Sequence, residues 1–162
     1  MIKYSSETYL KGVLEYNLNI FIDSDSPYYI VVKKINKIDK PFILNEYGKD
    51  VTILNNNYYI LEYIPKDENY ICRIFINDCK EVIEKIFLFT GRNDIDNGIP
   101  TYDDLKLSHI CIENKWKKYN LELFNEMYKN KEIDEGIYNL ILNKIDDVKN
   151  INLPFDYKKY LN

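Results

Sequence analysis

Glycine is scarce: five in 162 residues, which excludes a collagen-like chain or a glycine-rich linker. Cysteine is scarcer. Cys72, Cys79 and Cys111 are odd in number and show no CxxC spacing, which argues against a zinc site or a disulfide framework. They are expected to be buried thiols of a protein kept in a reducing cytoplasm. No apolar run approaches the roughly 18 residues a membrane span needs, and MIKYSSETYLKGV at the start carries no apolar leader core. The expectation is a soluble, cytoplasmic chain with no membrane partner. Net positive charge is lacking too: the formal charge is −4 and the sequence pI about 5.1. With no positive field to displace counterions, a broad grip on nucleic acid is excluded, while a local cluster holding a small anion is not. There is no GxxxxGK[ST], no GxGxxG and no HExxH, so Walker, Rossmann and zincin readings fail.

What the chain does have is aromatic and β-branched bulk. Sixteen tyrosines and seven phenylalanines suit strands and large packed side chains. A globule of this length buries roughly 70% of the surface its unfolded chain exposes, and the composition is that of one domain spanning residues 1–162. From about residue 12 to 119 the pattern is strand-like. GVLEYNLNIFID, PYYIVVKKINKI, PFILNEY, KDVTIL, NYYILEYI, NYICRIFIND and EVIEKIFLFTG are short runs separated by Pro27, Pro41, Gly48, Asn55–Asn57, Pro65 and Asn77-Asp78. Many closely spaced strands without intervening helices imply antiparallel pairing in a barrel or sandwich. Asn77 to Lys80 read as a hairpin turn.

After Trp116 the period changes. Leu121, Phe124, Met127 and Tyr128 recur at helical spacing, as do Ile137, Leu140, Ile141, Ile145 and Val148, with Pro154 closing the second helix. Asn120 and Asp134 stand where capping side chains would accept from helix amides. The two amphipathic helices need a partner for their apolar stripes, and an open sheet face supplies it. The expected class is therefore α+β: a mainly antiparallel barrel-like domain, strand-rich over 1–119, with helices from 120–162 packed against it.

The densest polar stretch runs from Asn93 to Leu105. Asp94, Asp96, Asp103 and Asp104 fall within eleven residues, with Gly98 and Pro100 shaping a loop. Oxygen donors of this kind suit magnesium or manganese held through one or two carboxylates plus substrate phosphates; a solvated turn explains the same residues. If LKLSHICI is a strand, Asp104, Lys106 and Ser108 share one face and Leu105, Leu107, His109 and Cys111 the other. His109, the lone histidine, is then a packed residue rather than a catalyst. Arg73 and Arg92 are the two arginines and the candidate phosphate binders. Arg92 either clamps a phosphate or pairs with Asp94 or Asp96. Trp116 reads as a lid on the core rather than a stacking platform.

The stretch Gly48–Val148 resembles the FomD-like family, a group of divalent-metal-dependent hydrolases of nucleoside di- and triphosphates or nucleotidyl-phosphonates. The block G98-I-P-T-Y-D-D-L-K-L-S-H-I-C-I112 is similar to the family's Tyr-x-Asp-Leu segment running into an apolar strand. Y58-Y-I-L-E-Y-I-P-K-D-E-N-Y70 and E84-K-I-F-L-F-T-G91 resemble the two preceding strands, and Y119-N-L-E-L-F-N-E-M-Y-K-N-K-E-I-D-E-G-I-Y138 the acidic helix start. The resemblance implies Asp104, Lys106 and Ser108 at catalytic positions and Asp103, Asp104, Asn120 and Glu122 at the metal. It also implies a weakened acid shell. Ser108 stands where relatives usually have a metal-binding Asp, Leu88 or Thr90 stands where a strand normally ends in Asp or Asn, and Lys106 is a cation beside Asp104. A divalent ion loses attraction with each anionic ligand replaced. The leading expectation is a divergent FomD-like protein with weak or lost phosphohydrolase activity that retains nucleotide or small-phosphate binding; magnesium or manganese is its cofactor if activity survives, and none otherwise. Two alternatives stay open: an active metal-dependent enzyme using Asp94, Asp96, Asp103, Asp104 and Glu122, and an acidic protein-interaction module.

Overall fold

The computed structural model describes residues 8–46 and 48–162. Nine strands precede two helices: β1 (Val13–Phe21), β2 (Tyr28–Ile38), β3 (Phe42–Glu46), β4 (Lys49–Leu54), β5 (Tyr59–Pro65), β6 (Tyr70–Ile76), β7 (Val82–Asp96), β8 (Ile99–Ile112), β9 (Lys115–Tyr119), α1 (Leu121–Lys129) and α2 (Glu135–Lys144). A 3-10 turn at Thr8–Leu10 leads into β1. The sequence readings of residues 1–7 and of Tyr47 lie outside the described residues. No described helix is long and apolar enough to cross a membrane.

Seven strands form one sheet in the order β1-β2-β5-β6-β7-β8-β9, and β3-β4 form a separate hairpin. Every pairing is antiparallel. The expected barrel does not close. β1 and β9 are opposite edges of the sheet, and neither pairs with the other. Closure is not needed to bury apolar surface here, because each face has its own cover. The helices and the C-terminal segment lie on one face, where Phe124, Ile141, Ile145, Val148 and Leu161 join Ile30, Leu61, Cys72, Ile74, Phe87 and Leu107 in a single core. The β3-β4 hairpin and the Thr8–Leu10 turn cover part of the other, packing Ile53, Leu54 and Tyr9 onto Ile35, Ile60 and Phe75. β5 and β6 are buried at every position, as central strands covered on both sides must be.

Local chemistry sets the ends of these elements. Asn77 accepts from Lys80 N through its backbone and from Glu81 N through its side chain at 2.9 Å, closing the expected hairpin turn. The polar segment read as a loop is instead another hairpin. Asn97 and Gly98 have φ of 49° and 77°, the left-handed pair that a two-residue turn requires, so Asp94–Asp96 end β7 and Ile99 starts β8. The Asp134 side chain caps α2 by accepting from Gly136 N at 3.1 Å. Asn120 does not cap α1 with its side chain: it sits in the left-handed region, and its backbone carbonyl accepts from Phe124 N. α2 also ends earlier than the periodicity predicts, and Val148 reaches the core from a 3-10 turn at Asp147–Asn150. The cysteines divide: Cys72 is buried, with its thiol pushed up to about 12 by burial, but Cys79 is exposed in the Asn77–Lys80 turn.

His109 ties the two layers together. Its Nδ1 lies 2.9 Å from the Ile145 carbonyl, to which it donates, and its ring meets the edge of Trp116 at 5.0 Å. Trp116 in turn packs on Phe87. Burial lowers the His109 pKa, and Lys149 and Lys118 add to this; the Ile145 hydrogen bond and Asp146 oppose it. The unfolded chain therefore takes the proton first. This contribution to stability is complete above the ordinary histidine pKa of about 6.5 and is lost as pH falls below it. Thermal melts between about pH 7.5 and 5.5 should show a fall in Tm that is smaller in His109→Gln, which retains a donor for Ile145.

Candidate functional site

Three neighbouring strands each interrupt an apolar run with one charged residue on the face away from the helices. Lys33 comes from β2, Glu62 from β5 and Arg73 from β6, and Glu62 and Arg73 are direct partners in register. Lys33 and Glu62 are fully buried and Arg73 is 5% exposed. Lys33 Nζ lies 3.4 Å from Glu62 Oε1, and Arg73 Nη2 lies 3.6 Å from Glu62 Oε2. Tyr9 roofs the cluster. Its hydroxyl donates to Glu62 Oε1 at 3.3 Å and accepts from Lys33 Nζ at 3.0 Å, while Arg73 stacks 4.4 Å from its ring centre. Removing ions from water costs several kcal/mol each, so the attraction must be matched by good hydrogen bonding.

β8 delivers a fifth group by curling. Ile86 on β7 pairs with both Arg73 and Ile110, yet Arg73 Nη2 donates at 3.1 Å to the hydroxyl of Tyr102, eight positions along β8 from Ile110. The β7-β8 hairpin therefore bends strongly over this face. Its register shifts where Leu88 pairs with Ser108 but Thr90 pairs with Asp104, leaving two extra residues on β8. Lys106 lies in this bulge with φ of 67°. Gly91 is the close approach on the facing strand, since a Cβ there would stand 3.3 Å from Asp103 Cβ. Asn93 braces the bend: its amide donates to the carbonyls of Pro65, Glu68 and Tyr70, and its oxygen accepts from Thr90 at 2.8 Å.

The residues singled out in the sequence are placed as follows. Asp104 accepts from Lys106 N at 2.7 Å and lies 3.6 Å from Lys106 Nζ, so its carboxylate is held by its own neighbour. Ser108 is buried opposite Leu88. Asp103 and Asp104, consecutive on one strand, stand on opposite sides of the pleat. Glu122 lies in the first turn of α1, directly after Asn120 and Leu121. Arg92 is exposed and pairs with Asp94 at 3.1 Å, the salt-bridge alternative. Its side chain is 74% exposed, whereas Arg73 is buried in the cluster, so the two arginines stand in different environments. Among the described residues, no three His, Cys, Asp or Glu side chains converge as a metal ion needs.

Arg73 was legible as an arginine, but Lys33, Glu62, Tyr9 and Tyr102 were not singled out. The available signal was phase: IVVKKI, YILEYI and ICRIFI each put a charge at an inward position of a buried strand. Ammonium, guanidinium and phenol groups are the donors that recognise phosphoryl oxygens. Here they converge in one buried cluster around Glu62, beneath Tyr9.

An open antiparallel sheet, curled at its long hairpin and backed by C-terminal helices, defines the class. No protein-family profile matches the chain, and no curated protein matches it. Among solved structures, the complex of FomD with CDP is similar over 83% of this chain and 74% of its own, with a TM-score of 0.55 and 12% identity. The phosphatase SC4828 with the non-hydrolyzable nucleotide GPCP is similar over 83% of this chain and 79% of its own, with a TM-score of 0.49 and 9% identity. The fold relationship is FomD-like.

Glu62→Gln should destabilise the protein by about 3–5 kcal/mol, because it leaves buried cations less compensated. Lys33→Met combined with Glu62→Leu should recover much of that loss. Urea denaturation of the single and double variants measures both.

Proposed function

We propose that this chain is a divergent FomD-like protein that binds a nucleotide or a small phosphorylated ligand on the concave face of its sheet, with weak or lost phosphohydrolase activity. The fold likeness to FomD, solved with CDP, supports the ligand class. Lys33, Arg73, Tyr9 and Tyr102 gather donors of the right chemistry in one cluster, buried around Glu62, so a phosphoryl group would reach them by displacing Tyr9 from above it. Arg73 is the phosphate binder in this reading; Arg92, exposed and paired with Asp94, is peripheral.

The single observation that carries the loss of turnover is the state of Asp104. A carboxylate that accepts from its own strand at 2.7 Å and sits against a lysine ammonium is a poor cation ligand. Where relatives are expected to place a second acid, Ser108 offers a neutral hydroxyl in a buried position. Magnesium or manganese, if bound, would polarise phosphoryl oxygens and activate water; the residues present favour holding the substrate over that chemistry.

Calorimetric titration with CDP, with and without manganese, together with phosphate-release assays, tests this reading. CDP should bind with little dependence on manganese, and Arg73→Lys should weaken it about tenfold, or ~1.4 kcal/mol. Phosphate release should stay near background in wild type and in Asp104→Ala alike. Manganese-dependent turnover at ordinary enzymatic rates, lost in Asp104→Ala, would establish the active-enzyme alternative instead.

A further inference from the structure

The two edges of the seven-stranded sheet are treated very differently. β9 reads KWKKY, and lysines on an edge strand discourage pairing with another chain. β1 reads VLEYNLNIF, nine residues with a single charge. Four large hydrophobic residues stand exposed on it or just past its end: Leu14 at 61%, Leu18 at 43%, Phe21 at 39% and Ile22 at 45%. Among the described strands β1 pairs with β2 alone. Its register is shifted near Val13–Tyr16, but from Tyr16 to Phe21 it runs regularly against β2.

The order of residues along this edge is close to a palindrome about Leu18. In an antiparallel pairing of two copies centred there, Leu18 meets Leu18, Tyr16 meets Ile20 and Asn17 meets Asn19. The faces agree as well. Leu18 and Ile20 lie beside Lys33 and Val31 on the concave side, while Asn17 and Asn19 lie beside Lys34 and Val32 on the helix side. Apolar residues would thus oppose apolar ones on one face and amides would oppose amides on the other. Glu15 would oppose Phe21, so the strand's one charge is not set against its own copy.

We propose that β1 is a homodimerisation edge, pairing antiparallel with β1 of a second copy about a two-fold axis at Leu18. The resulting contact is isologous and closes on itself, consuming the edge rather than propagating it. It would join two seven-stranded sheets into one continuous sheet, and it is independent of what the concave face binds.

Light scattering coupled to size exclusion, over a concentration series, reads the assembly. Wild type should show a concentration-dependent dimer, and Leu18→Lys and Asn17→Pro should be monomeric with unchanged circular dichroism. A cysteine scan reads the register. In a Cys79→Ser background, Leu18→Cys should give an oxidised, disulfide-linked dimer and Leu14→Cys should not, since residue 18 meets itself on the axis within bridging distance. A wild-type monomer at all concentrations, a dimer insensitive to both β1 variants, or cross-linking through residue 14 in place of 18 would each overturn the proposal.

Discussion

Three strands each bring one charged side chain to the middle of the concave face, and together these charges dictate what else can stand there. Lys33 and Glu62 are withdrawn from water completely and Arg73 nearly so. Charges so placed demand partners of fixed geometry. Tyr9 is drawn onto them from the turn before β1, and Tyr102 from the far end of a long hairpin. The cluster therefore divides the concave side into two apolar patches: one around Ile35, Ile53 and Phe75, and one around Tyr29, Val31, Ile64 and Tyr102. Among the described residues, the core of the helix-covered face is a cluster of hydrophobic side chains packed by shape.

The strands were legible because their period and punctuation agreed. The Pro, Gly and Asn breaks fall close to the strand ends, and alternation put Leu105, Leu107, His109 and Cys111 on one face, of which Leu105, Leu107 and His109 are buried and Cys111 half-buried. Sheet closure was not legible. Whether two edges meet depends on accumulated twist and on what covers each face, and neither is a local property of the chain. The acidic segment misled for a definite reason: counting aspartates obscured Asn97-Gly98, the strongest turn signal in the stretch.

The candidate site was only partly readable. Asp104 and Lys106 are near neighbours in sequence, so their pairing was visible as a cation beside an acid. The buried cluster comes from residues 29 and 11 positions apart along the chain, joined by strand register and by the curl of β7-β8. Single charges inside apolar strands mark such a place, but which charges meet is set by pairing. For a fold likeness at 12% identity, the chemistry of the site has to be argued from these residues and not inherited.

The long β7-β8 hairpin would by its dimensions be a cantilever, springing from the sheet with nothing beneath it. Asn93 makes it an arch. One amide fastened to three carbonyls of the β5-β6 region ties the hairpin's shoulder to the neighbouring turn. Movement at the shoulder must drag that turn along. The cross-ties of this pair of strands are thus gathered at one place, where Tyr102 reaches across to Arg73 and Asn93 fastens the turn.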